Sequence, residues 1–173
     1  MKVVLMGYMG SGKSTIGKLL ANTLNYTLID LDDYIIAREK IDIPEIFKTK
    51  GEIYFRKKEH ECLKEIMQLR ENLIVSLGGG TPCYGANMNL IVNSEDAASF
   101  YLKASIDTLA KRLFEVKANR PLISHLESIE NLKEYIGKHL FERAYYYNQA
   151  QFIIDIDNKS EKDIVEQIIF NLF

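Results

Sequence analysis

Cysteine, proline and excess charge are all scarce in this chain, and each scarcity removes a class of protein. Only Cys62 and Cys83 are present among 173 residues. With no CxxC pair and no histidine at ligand spacing, they support neither a disulfide framework nor a zinc site, and a reducing cytoplasm is the expected setting. The three prolines stand alone at positions 44, 82 and 121, and no Pro/Gly-rich linker, repeat or low-complexity tract divides the chain. Twenty-two Lys+Arg against 24 Asp+Glu leave a net charge of −2, so no overall basic field draws the protein to nucleic acid or anionic lipid. No apolar run approaches the roughly 18 to 20 residues of a membrane helix. The short apolar run in MKVVLMGYMG leads straight into GSGKST, which a signal sequence would not do, so it is a first strand. Hydrophobic residues make up 47% of the chain, enough for a core, and the expectation is one soluble domain over residues 1–173 that buries about 70% of its unfolded surface.

Short apolar runs alternate with segments of helical period, the pattern of an α/β fold with a mainly parallel sheet. Five runs read as strands: Val3–Met6, Thr27–Leu31, Leu73–Leu77, Ser99–Leu102 and Phe152–Ile156. Ile164, Val165, Ile168, Ile169, Leu172 and Phe173 mark a closing helix with Ser160 as its N-cap and Asp163 three residues on. Ile106, Leu109, Leu113 and Phe114 mark another after Ser105. Cys62, Leu63, Ile66 and Met67 mark a third, with Cys62 as a small core side chain. Lys117 to Ser124 is polar, contains Pro121 and has no assignable period, so it reads as an exposed loop of the kind that serves as a lid.

Chemistry is most legible in Gly7-Tyr8-Met9-Gly10-Ser11-Gly12-Lys13-Ser14, which matches G-x-x-x-x-G-K-[ST] between a strand and a helix. Glycines let successive backbone N–H groups of the Gly10–Thr15 stretch face a phosphate at the positive end of the helix, Lys13 neutralises the outer phosphates, and Ser14 offers a hydroxyl to Mg²⁺. The expected ligand is a nucleoside triphosphate. Asp30-Leu31-Asp32-Asp33 closes the second run at the sheet edge where ligands bind. Strand alternation would point Asp30 and Asp32 the same way, one toward Mg²⁺ and one toward an acceptor hydroxyl; the alternative is a capping turn at Asp32 or Asp33. Gly78-Gly79-Gly80 closes the third run, so that backbone can approach a ligand closely.

Taken in order, the phosphate turn, Asp30-x-Asp32, Phe55-Arg56 before a long helix, Gly78-Gly79-Gly80, Arg120-Pro121-Leu122 and Arg143 resemble the shikimate kinase family over nearly the whole chain. The resemblance implies a three-layer P-loop kinase with a five-stranded parallel sheet ordered 2-3-1-4-5, a substrate-binding region about 32–60 and a lid about 112–124. It implies transfer of the ATP γ-phosphoryl to the 3-hydroxyl of shikimate, on the route to chorismate and the aromatic amino acids, by a cytoplasmic enzyme expected to be a monomer. By the same resemblance Asp30 lies near magnesium, Asp32 binds the acceptor hydroxyl and serves as base, and Arg56 and Arg143 clamp the shikimate carboxylate. Gly78, Gly79 and Gly80 bond its hydroxyls through backbone, Arg120 reaches the transferred phosphate from the lid, and Asn158 joins the nucleotide contacts. A planar guanidinium suits a carboxylate, and a lid-borne charge arrives only on closure. On residues alone, Arg56-Lys57-Lys58 also fits a solvated helix face, and Arg143 beside Glu142 a surface ion pair.

The chain departs from the family at several points. Tyr147 follows Arg143 at the expected spacing, but Gln151 stands where alanine is expected, with Ala150 one place early. No proline occurs in Asp157-Asn158-Lys159-Ser160, and Arg112 aligns loosely with the arginine that stacks on adenine. A GTPase is disfavoured because Asn158-Lys159-Ser160-Glu161 ends in Glu rather than Asp and no Asp-x-x-Gly turn follows the third run. A gluconate or nucleotide kinase is the nearer alternative, and a non-catalytic binding module would leave the lineup of acidic, basic and Gly-rich motifs unexplained. His60, His125 and His139 read as surface or helix residues, and Tyr145 to Tyr147 as core and rim packing.

Overall fold

The computed structural model describes residues 1–116 and 122–173. All five apolar runs form strands: β1 (Lys2–Met6), β2 (Thr27–Asp30), β3 (Leu73–Ser76), β4 (Ala97–Lys103) and β5 (Phe152–Asp155). Every pairing is parallel and the order is β2-β3-β1-β4-β5, as the family resemblance implied. The ends differ from expectation by one or two residues, since an apolar side chain does not reveal where the ladder stops and the next turn begins. Leu31 opens a helix, Leu77 and Ile156 lie past their strands, and the fourth strand runs from Ala97 to Lys103.

Strand alternation sends β1 side chains to two cores. Val3 and Leu5 join Phe100, Leu102 and Ile154 beneath α1 (Lys13–Leu24), α5 (Ile106–Val116), α6 (Ile129–Tyr147) and α7 (Glu161–Leu172). Val4 and Met6 join Leu73, Val75 and Tyr101 on the face covered by α2 (Leu31–Glu39), α3 (Ile43–Gln68) and α4 (Asn87–Val92). Each fully buried aliphatic side chain of this kind contributes about 1.5–3 kcal/mol by leaving water. Caps set the helix starts. Ser160 and Asp163 form the expected capping box on α7, Ser128 accepts from Asn131 N–H at α6, and Ser105 Oγ accepts from Thr108 N–H at 3.2 Å.

Two expectations need correction. Phe55 and Arg56 lie inside the long helix rather than before it: α3 runs from Ile43, with Asp42 as N-cap and Pro44 in its first turn, and is broken at Gly51, whose φ of 81° no helical residue adopts. The loop expected to be exposed over 117–124 has a buried anchor, because Ile123 is fully enclosed with Leu113, Leu132 and Ile136. Cys62 is buried in the core as expected, and both cysteines are free.

β1 is the strand at which the order reverses, with β3 on one side and β4 on the other. The crevice at the carboxyl ends of strands around such a point is the general ligand site of an open α/β sheet.

Candidate active site

The loop leaving β1 wraps as its glycines permit. Gly7, Gly10 and Gly12 have φ of 148°, 81° and 92°, and a β-carbon on Gly7 would lie 2.7 Å from Leu102 O and 2.8 Å from Ser11 Oγ. Ser11 is buried beneath the loop. Gly12 is the N-cap of α1, so the loop ends on the positive end of a helix. Lys13 Nζ donates to the carbonyls of Gly7 at 2.9 Å and Tyr8 at 3.0 Å, which holds the ammonium over the mouth of the loop. A cavity of about 290 Å³ runs from Gly10, Lys13 and Ser14 to Asp30, Asp32 and Gly78, so the phosphate loop and the two carboxylates share one space.

Asp30 and Asp32 come together by a different route from the one expected. β2 ends at Asp30, and Asp32 lies in the first turn of α2, so strand alternation does not relate them. Asp30 is the N-cap of α2, a role assigned above to Asp32 or Asp33, and its Oδ1 accepts from Asp32 N–H at 3.1 Å. The cap leaves Oδ2 facing Ser14 Oγ at 3.5 Å, a hydroxyl and a carboxylate from two different elements. Burial pushes the Asp32 carboxyl up to about 6, with the charges of Asp30 and Glu59 adding to the rise and Lys13 opposing it. It therefore ionises just below neutral pH, where a general base is effective.

Each of the three glycines after β3 lies beside one of the residues named for the acceptor. A β-carbon on Gly78 would lie 3.1 Å from Asp32 Oδ1, on Gly79 3.8 Å from Arg143 Nη1, and on Gly80 3.2 Å from Arg56 Nη2. A carboxylate from α2, a guanidinium from α3 and another from α6 thus surround one turn. Arg56 is not a solvated helix side chain: only 20% of it is exposed, it pairs with Glu59 at 2.9 Å and Glu52 at 3.4 Å, and its guanidinium lies 3.7 Å from the centre of the Tyr84 ring. Arg143 turns inward, with its guanidinium 5.4 Å from the centre of the Tyr8 ring. Tyr147, one turn beyond, is buried, stacks on Tyr101, pairs with Arg143 and donates its hydroxyl to Gly79 O, which ties α6 to the glycine turn. Its neighbour Tyr145 is 74% exposed, so the tyrosine run divides between core and surface as expected.

Across the phosphate loop, a second cavity of about 320 Å³ lies between Gly12, Thr15, Arg112 and Lys159. Arg112 Nη1 donates to Gly10 O at 3.2 Å, which places this cation beside the loop despite its loose alignment with the family. Asn158 takes a left-handed turn, φ 57°, after β5, and its neighbour Lys159, rather than Asn158 itself, lines the cavity. Arg120 lies outside the described residues.

Sequence reasoning passed over Glu59 and His139. Glu59 is a carboxylate 1% exposed, and its place three residues after Arg56 on a helix was the available signal. His139 shares a hydrogen bond of 3.1 Å with the Tyr8 hydroxyl, and burial and then Arg143 lower its proton affinity. No short pattern announces that contact, which joins α6 to the phosphate loop across 131 residues.

A phosphate-wrapping turn at the switch point of a parallel sheet ordered 2-3-1-4-5 makes this a P-loop kinase, and the two guanidinium groups beside the glycine turn suit an anionic acceptor. A family model described as shikimate kinase matches residues 9–172. Shikimate kinase from Flavobacterium johnsoniae is 50% identical over 168 residues, covering 97% of this chain and 96% of that protein. The crystal structure of shikimate kinase from Bacteroides thetaiotaomicron superposes with a TM-score of 0.90 at 34% identity, covering 99% and 98% of the two chains. That of shikimate kinase from Acinetobacter baumannii in complex with shikimate gives 0.86 at 28% identity, covering 99% and 92%. The chain belongs to the shikimate kinase family and is a kinase that uses ATP as co-substrate.

Proposed function

We propose that this chain phosphorylates the 3-hydroxyl of shikimate with Asp32 as base, Arg56 and Arg143 as the carboxylate clamp, and the backbone of Gly78 to Gly80 as the floor for the remaining hydroxyls. The convergence of Asp32, Arg143 and Arg56 on three successive glycines carries this reading, because it sets a base and two planar cations at one small surface beside the phosphate loop. Asp32 accepts the hydroxyl proton as the acceptor oxygen bonds to the γ-phosphorus, and the bond from that phosphorus to the oxygen of the departing ADP breaks. Backbone N–H groups of Gly10 to Thr15 cradle the phosphates, and Lys13 neutralises the charge that shifts between them during transfer. Arg120 joins the phosphate from the lid and Asn158 the nucleoside end, both on the sequence resemblance.

Ser14 and Asp30 would hold Mg²⁺; their hydroxyl and carboxylate oxygens, 3.5 Å apart at the mouth of the loop, are the hard donors this ion takes alongside water and substrate phosphates. Bound there, it would supply positive charge against the phosphates. The reading includes a monomer, and two free thiols fit a reducing cytoplasm. A coupled ADP-release assay with MgATP and a panel of shikimate, gluconate and nucleoside monophosphates tests the assignment. Turnover with shikimate alone is expected, and turnover with another acceptor but not shikimate would overturn it.

A further inference from the structure

Behind Arg56, a line of hydrogen bonds leads away from the site into residues that do not themselves line the cavity at the phosphate loop. Glu59 Oε2 accepts from Arg56 Nη1 at 2.9 Å, and Glu59 Oε1 accepts from the Thr81 hydroxyl at 2.7 Å. The Thr81 carbonyl accepts from Asn87 Nδ2 at 2.9 Å, and Asn87 Oδ1 lies 2.7 Å from His60 Nδ1. Glu59, Thr81 and Asn87 are all 0–1% exposed. The chemistry of the groups orders the protons without ambiguity. A carboxylate held by a guanidinium accepts, so Thr81 donates; a backbone carbonyl only accepts, so the Asn87 amide donates; Asn87 Oδ1 is then an acceptor and His60 Nδ1 donates to it. Each buried donor and acceptor in the line is matched.

We infer that Thr81 is a positioning residue for the acceptor carboxylate, acting through Glu59 on Arg56, with Asn87 holding the Thr81 backbone in place. This rests on the assignment of Arg56 to the clamp. A carboxylate can rotate about its last bond, and pinning Oε1 with a fixed hydroxyl is what aims Oε2 at Arg56. Once Oε1 has lost its donor, it is a buried oxygen without a partner, and the guanidinium is the nearest group able to supply one. Arg56 then turns toward Glu59, away from Gly80; its other contacts are Glu52 at 3.4 Å and the Tyr84 ring, whose centre lies 3.7 Å from the guanidinium carbon. Thr81 opens a single turn of 3₁₀ helix, Thr81–Cys83, directly after the glycines, so the same residue registers both the floor of the acceptor site and the clamp beside it.

Thr81→Val keeps the shape of the side chain and removes only the donor. Steady-state kinetics of this variant should show the KM for shikimate raised about tenfold, with the KM for MgATP and kcat at saturating shikimate within about twofold of the parent. Thr81→Ser should restore the parent KM. In an Arg56→Ala background, Thr81→Val should change the shikimate KM by less than about twofold, because the group it acts through is gone. A parent-like KM in Thr81→Val, with Arg56→Ala raising it, would overturn the inference, as would a penalty that persists at full size without Arg56, the mark of general packing damage. An unchanged shikimate KM in Arg56→Ala would instead remove Arg56 from the clamp and the inference with it. Should the valine variant fail to bind MgATP, Thr81→Ala carries the same expectations.

Discussion

The site has two glycine-rich turns, and their glycines serve different ends. In the phosphate loop after β1, Gly7, Gly10 and Gly12 all have positive φ, so the need for glycine lies in the backbone itself. In the turn after β3, Gly80 has an ordinary φ of −91°, and Gly78 and Gly79 are absent from the positive-φ positions. There the crowding comes from outside: the space a β-carbon would fill is met by Thr81 at 3.0 Å and Asp32 at 3.1 Å on Gly78, by Met9 N at 3.3 Å on Gly79, and by Arg56 at 3.2 Å on Gly80. One turn makes its binding surface from consecutive residues. The other is a floor whose walls arrive from α2, α3 and α6.

If this contrast is right, substitutions should separate into nucleotide and acceptor effects. The largest effect is expected on the phosphate side: Lys13→Ala should lower kcat/KM by about 10³-fold or more, read by ADP release, because the shifting phosphate charge loses its fixed partner. Near-parent turnover would mean that the loop is only structural.

Asp32→Asn should lower kcat by about 10²–10⁴-fold while leaving both substrates bound, since an amide cannot take the hydroxyl proton. The parent enzyme should lose activity as pH falls through about 6, where Asp32 takes up its proton. The same rise has a consequence for stability. The native state holds this proton more tightly than the unfolded chain, so the stabilising contribution is full below about 4 and is lost as pH rises through about 6. At pH 8 the buried charge is a burden of roughly 1–3 kcal/mol, and Asp32→Asn should raise Tm there but hardly at pH 3.5. A variant that loses activity without gaining thermal stability at pH 8 would argue against burial as the main cause of the shift.

Arg143→Ala should raise the KM for shikimate about 10- to 100-fold, the scale of a lost charge-assisted contact, and leave the KM for MgATP within about twofold. Loss of MgATP binding instead would move Arg143 to the nucleotide side. The smallest effect sharpens the comparison most. Gly80→Ala should raise the shikimate KM about three- to tenfold, because its new methyl displaces Arg56, whereas Gly10→Ala, strained at φ 81°, should act on MgATP. Matching effects of the two alanines on both substrates would erase the distinction drawn between the turns.

What could be read without a structure follows from how far apart the cooperating residues lie in the chain. Residues 7–15 shape the phosphate loop through their own backbone, so turn, cation and helix start are all written in one stretch, and the alternation of apolar runs with helical periods was enough for the α/β class. Asp30 and Asp32 were found for a reason that did not hold, since it is the cap at Asp30 that sets them together. Arg56 and Arg143 could be marked by family resemblance, but residues alone left each as a surface charge. Only tertiary structure folds α3 so that Arg56 meets Gly80, buries Glu59 between Arg56 and Thr81, and brings His139 to Tyr8 from 131 residues away. Local sequence determines backbone conformation and burial pattern, because these depend on neighbours along the chain. Which buried carboxylate orients which guanidinium depends on the packing of helices against the sheet, and that is decided by the whole chain at once.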